Sequence, residues 1–295
     1  MSRDDTSVLL LGTGGPWVSA ERFGPSTLIR HGNERLLFDT GRGVGIRLVE
    51  AGEEPAQVNP VFITHHPLDH ISDLADVMIT TWLRGRTADL LIYGPPGTEE
   101  IVDTLVNKVY AKDIEWRSVG EPAFGGWKPV QAKDIVPGDV VETTNWQVSC
   151  AYAVHGHGLN FSKEFKNNWK CLSYRFEAKD KVICVSGDTV DCAGLRSMAE
   201  GADILVQCCF ASSAETRGNS HLNDVATFTL ADAAQAATIA KECGVGHLVL
   251  THLRPKSEAD LAALEAEVRE TYSGPLTVGR DMTTVSFVSL SEKPR

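Results

Sequence analysis

Short apolar runs rich in Leu, Val and Ile alternate along this chain with segments whose apolar positions recur at helical spacing, a pattern that predicts an α/β protein. Strands are expected at residues 8–11, 26–29, 35–38, 61–64, 90–93, 147–154, 172–176, 181–185, 204–207, 247–251 and 284–288. Helices are expected at 44–51, 71–83, 97–110, 224–242 and 258–272. The third follows Pro95-Pro96-Gly97, and the fourth carries Ala or apolar residues on one face. Residues 118–145 are rich in Gly and Pro with short β stretches and read as a connecting excursion, so residues 1–295 are taken as one domain.

The ends of the expected strands carry the chemistry. Val61-Phe62-Ile63-Thr64-His65 and Leu248-Val249-Leu250-Thr251-His252 echo each other, each an apolar strand ending in Thr-His. Ligands of α/β sheets gather where strands end. The first copy runs on through His66-Pro67-Leu68-Asp69-His70, which places three imidazoles and a carboxylate within six residues. These are the usual non-sulfur ligands of zinc. A solvated turn with Asp69 as a helix N-cap is the competing reading. Asp39, His155 with His157, and Asp188 close three further strands. Each taken singly also reads as a turn carboxylate, a surface histidine or an Asx-turn. Gly12-Thr13-Gly14-Gly15 is not continued as a dinucleotide-binding Gly-x-Gly-x-x-Gly and reads as a structural turn.

Composition narrows the class. With 42% hydrophobic and 23% charged residues over 295 positions, the chain can bury a large core, which excludes disordered and fibrous classes. Its formal charge of −11 speaks against a polyanionic partner, so no nucleic acid is expected. No basic segment leads an apolar run, and no stretch nears the roughly 18 apolar residues of a membrane span; a cytoplasmic protein without membrane contact is expected. Seven cysteines without a Cys-x-x-Cys pair fit reduced thiols, with neither a disulfide framework nor a zinc ribbon.

Asp39, the segment Thr64-His65-x-x-x-Asp69-His70, His155, Asp188 and His252, in that order, resemble the five motifs of the metallo-β-lactamase superfamily. The segments Gly12-Thr13-Gly14-Gly15, Gly24-Pro25-Ser26-Thr27-Leu28, Phe38-Asp39-Thr40-Gly41-Arg42-Gly43, Trp82-Leu83-Arg84-Gly85-Arg86, Tyr93-Gly94-Pro95-Pro96-Gly97-Thr98 and Val249-Leu250-Thr251-His252 make the chain most similar to the arylsulfatase and ribonuclease Z branch. The resemblance covers nearly the whole chain. It implies an αββα sandwich of two mixed sheets flanked by helices, metals at the rim between the sheets, and hydrolysis by a metal-bound hydroxide.

The resemblance also implies the ligands. Asp69, His70, Asp188 and His252 match the second metal position in full. The first would use His65, His155 and a histidine at the position of Pro67, because the family reads Thr-His-x-His-x-Asp-His. Proline has no ligand atom, which leaves two protein ligands where zinc sites keep at least three. One Zn²⁺ is therefore expected, with Mn or Fe left open, unless His66 or His157 replaces the missing ligand. Asp39 is expected to orient the histidines. Asp69 and His221 are the expected catalytic residues, because Ser220-His221-Leu222 resembles the ribonuclease Z motif whose histidine assists proton transfer. Gln207 stands where relatives often carry Glu.

For substrate, Trp82, Trp116, Trp127, Trp146, Trp169, Phe161 and Phe165 suggest pocket walls, although core positions are the competing reading. Together with the acidic charge and the lack of a long basic arm, they point to a mononuclear zinc hydrolase of a small aromatic ester, lactone or halide, with no processing of transfer RNA precursors. A homodimer is compatible with this reading. The alternatives are a ribonuclease Z-like phosphodiesterase and a non-catalytic metal-binding member of the superfamily.

Overall fold

The computed structural model describes residues 6–179, 181–217 and 219–287. The first sheet is laid down by β1 (Thr6–Gly12), β2 (Ser26–His31), β3 (Glu34–Phe38), β4 (Val58–Phe62), β5 (Leu90–Gly94) and β6 (Val130–Asp134). The second follows with β7 (Val140–Glu142), β8 (Gln147–Tyr152), β9 (Leu172–Ala178), β10 (Lys181–Val185), β11 (Ile204–Cys208), β12 (His247–Thr251) and β13 (Leu276–Val278). The last strand, β14 (Thr283–Ser286), returns to the first sheet beside β1. The spatial orders are β14-β1-β2-β3-β4-β5-β6 and β13-β12-β11-β10-β9-β8-β7.

Read from β14 and from β7, the two sheets repeat one pattern: three antiparallel pairings, then three parallel ones. In that pattern β3 corresponds to β10, so the equivalent strand ends carry Asp39 and Asp188. The two Thr-His copies follow β4 and β12, which are not equivalent strands.

Strand parity explains the layering. Val8, Leu10, Ile29, Leu36, Phe38 and Phe62 meet Val148, Tyr174, Phe176, Ile183, Val185 and Val206 in the core between the sheets. Their neighbours Leu9, Leu11, Leu28, Leu37, Val61 and Ile63 face the other way, against helices Val44–Glu50 and Leu74–Leu83. Leu205, Leu248 and Leu250 do the same beneath helices Ala233–Glu242 and Glu258–Arg269. Strands buried on both faces read as near-continuous apolar runs, which is why they stand out in the sequence. Helix, sheet, sheet, helix is the αββα sandwich that the resemblance implies.

Three expected elements differ. The helix expected at 71–83 begins as a short turn, Leu68–Ile71, and continues as Leu74–Leu83. The helix expected at 224–242 is two, Ser220–Phe228 and Ala233–Glu242. The break falls at Thr229–Asp232, where Asp232 caps the second helix by accepting from the Gln235 N–H at 2.9 Å. The 118–145 excursion contains β6 and β7, the edge strands of opposite sheets, and is the passage from one sheet to the other. Of the strand expected at 284–288, Val288 lies outside the described residues.

Candidate metal centre

The site is assembled at the ends of β3, β4, β8, β10 and β12. Two of its residues, Asp39 and His252, hold left-handed backbone conformations, with φ of 61° and 58°. Non-glycine residues rarely adopt this region, and such strain clusters at functional sites. At Asp39 the surroundings fix it firmly. Oδ1 accepts from the Thr64 N–H at 2.7 Å, Oδ2 accepts from the Thr64 hydroxyl at 2.8 Å, and Oδ2 also accepts from His70 Nδ1 at 2.8 Å. The Thr64 hydroxyl oxygen in turn takes the proton of His65 Nδ1 at 2.9 Å. One carboxylate thus sets the orientation of two imidazoles and turns their Nε2 atoms toward the same place.

That place is ringed by orphaned atoms. Nε2 of His65, His70 and His252 are buried without a hydrogen-bond partner. The His70 and His252 nitrogens lie 3.7 and 3.4 Å from Asp69 Oδ2, and 3.5 and 3.1 Å from Asp188 Oδ2. Four ligands about 2.0–2.2 Å from one tetrahedral ion are about 3.3–3.6 Å apart, so the spacings fit a zinc-sized ion. His65 Nε2 stands beside this set, 3.8 Å from Asp188 Oδ2. His65, His70 and Asp188 also form a metal-competent group, as do Asp69, His70 and His252.

The electrostatics follow from buried groups facing each other. Burial works to raise the Asp188 carboxyl, but His252, His70 and His65 outweigh it and hold Asp188 well below the carboxylate range. Asp69 is lowered too, its burial overcome by His252 and His70. Burial works to lower His70, yet Asp188 and Asp39 raise it well above the usual imidazole value. His65 is pushed far down by burial and by the neighbouring His70. Burial also lowers His155. Carboxylates held ionised beside imidazoles with free Nε2 atoms are chemically suited to a divalent cation.

The remaining candidates are placed as follows. His155 gives its Nδ1 proton to the Thr229 carbonyl at 2.8 Å, so the break between the two helices supplies its acceptor; its ring lies 5.0 Å from that of His65. His66 turns away and meets the Thr98 hydroxyl at 2.8 Å. His157 is occupied by the Trp169 carbonyl at 3.0 Å and the His155 N–H at 3.1 Å. Neither stands in for a ligand at Pro67.

A cavity of about 470 Å³ opens over the centre. Asp69, His155, Asp188 and His252 line it on one side, and Trp17, Phe210, Leu222 and Val225 on another. His221 also lines it, from the first turn of helix Ser220–Phe228. Gln207 is wholly buried on β11, with its amide nitrogen donating to the Cys208 carbonyl, and it forms no pair with His221. The Gly12–Gly15 turn has a tighter role than a turn alone: a Cβ on Gly15 would come within 2.6 Å of the His252 ring. Glycine lets this loop lie against a metal-competent imidazole.

Residues 34–253 match the model of the beta-lactamase superfamily domain, a span that takes in every residue from Asp39 to His252. This chain belongs to the metallo-β-lactamase superfamily. Among its curated relatives, ribonuclease Z of Mycobacterium bovis is 32% identical over 94% of this chain and 97% of its own length. Ribonuclease Z of Mycolicibacterium gilvum is 34% identical over 88% of this chain and 89% of its own. These relatives place this metallo-β-lactamase superfamily member in the ribonuclease Z-like branch. In fold it is similar to the metallo-beta-lactamase fold protein YhfI of Bacillus subtilis (TM-score 0.71, 19% identity, 96% of this chain and 99% of that one). It is likewise similar to the short form of human tRNase Z (TM-score 0.68, 20% identity, 96% and 99%).

The ribonuclease relatives overturn the expected small aromatic ester, lactone or halide substrate, the arylsulfatase-like reading and the exclusion of nucleic acid. The physical reasons are visible in the structure. Trp82 and Trp146 are buried, Trp127 packs edge-on against Trp82 at 5.0 Å, and Trp116 is exposed on helix Ala111–Gly120. Phe161 packs tilted against Phe165, which stacks on Trp169, and Trp169 lies against His155. None of these seven lines the cavity; its aromatic wall is Trp17 and Phe210. The charge of −11 sums the whole chain and says little about a site built from buried imidazoles. No helix among the described residues is long and apolar enough to cross a membrane.

Proposed function

We propose that this chain is a metal-dependent phosphodiesterase that cleaves RNA, with one zinc ion held by Asp69, His70, Asp188 and His252. The observation that carries this reading is that the four ligand atoms, spaced for one ion, fall within the span shared with ribonuclease relatives a third identical in sequence. A divalent ion held by these four residues would supply Lewis-acid stabilisation to a phosphoryl oxygen.

The chain's own residues do the rest. Asp39 fixes the His70 ring directly and the His65 ring through Thr64. His65 keeps a buried Nε2 without a hydrogen-bond partner, and His155, with Nδ1 engaged by the Thr229 carbonyl, lines the cavity together with Pro67. His221, at the cavity edge, is the group that gives a proton to the departing oxygen.

The test is incubation of the zinc-loaded protein with a transfer RNA precursor carrying a 3′ extension, with the new ends mapped. The expected result is cleavage that stops on chelation and returns with zinc. Intact RNA beside protein with a full complement of zinc would overturn the reading. His221→Ala is expected to lower turnover by about 10²- to 10⁴-fold with metal content unchanged, and to lose less on a p-nitrophenyl phosphodiester whose leaving group needs no proton. Equal losses on both substrates would assign His221 a structural role.

A further inference from the structure

Two residues beyond His252 the chain brings an arginine to the cavity wall. His252 takes its left-handed turn, the Leu253 N–H donates to the Thr13 carbonyl at 2.8 Å, and the Arg254 side chain then lines the cavity that Asp69, Asp188 and His252 face. Its Nη1 is buried and has no hydrogen-bond partner, and no carboxylate among the described residues pairs with it.

Neighbouring cations are satisfied. Arg22 donates to the Thr13 hydroxyl at 2.8 Å and the Gly279 carbonyl at 2.7 Å. Lys256 holds both oxygens of Glu215 at 2.5 and 2.6 Å, and Arg280 holds Glu258 at 2.5 Å. A buried donor on a charged group left unmade is costly, and folding tolerates it where function requires it. The cavity carboxylates do not answer it, because Asp69 and Asp188 are turned onto His70 and His252. An anion small enough to enter beside the metal ligands is the acceptor that matches this charge.

We infer that Arg254 binds a phosphate oxygen of the substrate in the metal-centre cavity. The inference rests on the phosphodiesterase reading for the identity of the anion. The planar fork of arginine matches two oxygens of one phosphate, a geometry that lysine does not reproduce. Arg254 lies one residue past the span that the family model matches.

The experiment is calorimetric titration of inorganic phosphate into the zinc-loaded wild type and the variants Arg254→Gln and Arg254→Lys, with zinc per chain measured in each. Arg254→Gln is expected to weaken phosphate binding about 10- to 100-fold with zinc content unchanged, the loss of a hydrogen bond to a charged group. Arg254→Lys is expected to lose severalfold. Unchanged phosphate affinity in Arg254→Gln would overturn the inference; should that variant fail to fold, unchanged affinity in Arg254→Lys would do so. The readout needs no turnover. Weakened phosphate binding in a protein that cuts no RNA would retain the subsite and remove the phosphodiesterase reading, while RNA cleavage with phosphate binding unaffected would do the reverse.

Discussion

The two sides of the metal centre share Asp188 and His70 and differ in how their remaining atoms are spent. On the side of Asp69 and His252, four atoms from three separate segments converge at spacings of 3.1 to 3.7 Å. On the side of His65 and His155, the third position is Pro67, which lines the cavity without a ligand atom, and the adjacent His66 is held by Thr98. A one-residue displacement within a turn sends an imidazole to a different neighbour. Which imidazoles meet at the centre is therefore decided by direction, not by the number of histidines in the segment.

Substitution of a shared ligand should break the comparison most severely. Asp188→Ala is expected to lower zinc affinity by more than about 100-fold, because it removes one ligand of four and leaves buried imidazoles unpaired. Retained zinc, measured by competition with a chelator, would show that the ligands lie elsewhere. Asp39→Asn should cost about 10- to 100-fold in zinc affinity, the usual range for an orienting partner of a ligating histidine. An unaltered affinity would mean that His70 is held by its packing alone.

Gentler changes sharpen the contrast between the sides. Pro67→His is expected to raise bound zinc from one toward two per chain, by giving His65 and His155 a third partner; a content that stays at one would locate the defect in the turn. His65→Ala should leave zinc affinity within about threefold of wild type, and a loss equal to that of Asp188→Ala would merge the two sides into one site. The raised His70 imidazole adds a sign: in the zinc-free chain it holds a proton that must leave before Nε2 can bind metal. Zinc affinity should therefore rise with pH through the neutral range, with proton release on binding measurable in buffers of different ionisation enthalpy.

The fold, and the clustering of Asp39, His65, His70, Asp188 and His252, were legible in the sequence because both rest on strands. Buried parallel strands such as β4 and β12 are short apolar runs, and their ends are where Thr64-His65 and Thr251-His252 stand out. The cavity wall was not legible. Trp17 and Phe210 lie in loops whose path depends on contacts far away in sequence, while Trp82 and Trp146 read equally well as wall or core until their burial is known. The break at Thr229 was masked by an Ala-rich pattern that continues the helical period; the signal that could have located it is Asp232, an N-cap residue in mid-pattern. Arg254 left no signal at all, since an unpaired cation in sequence is indistinguishable from a solvated one. Net charge misled for a related reason: it averages over a surface, and the site is local.

The most direct measurement is the number and position of zinc ions in the purified chain, by elemental analysis paired with anomalous diffraction at the zinc edge. One zinc per chain, centred among Asp69, His70, Asp188 and His252, is the expected result. Two zinc ions at full occupancy, or a single one centred between His65 and His155, would contradict it.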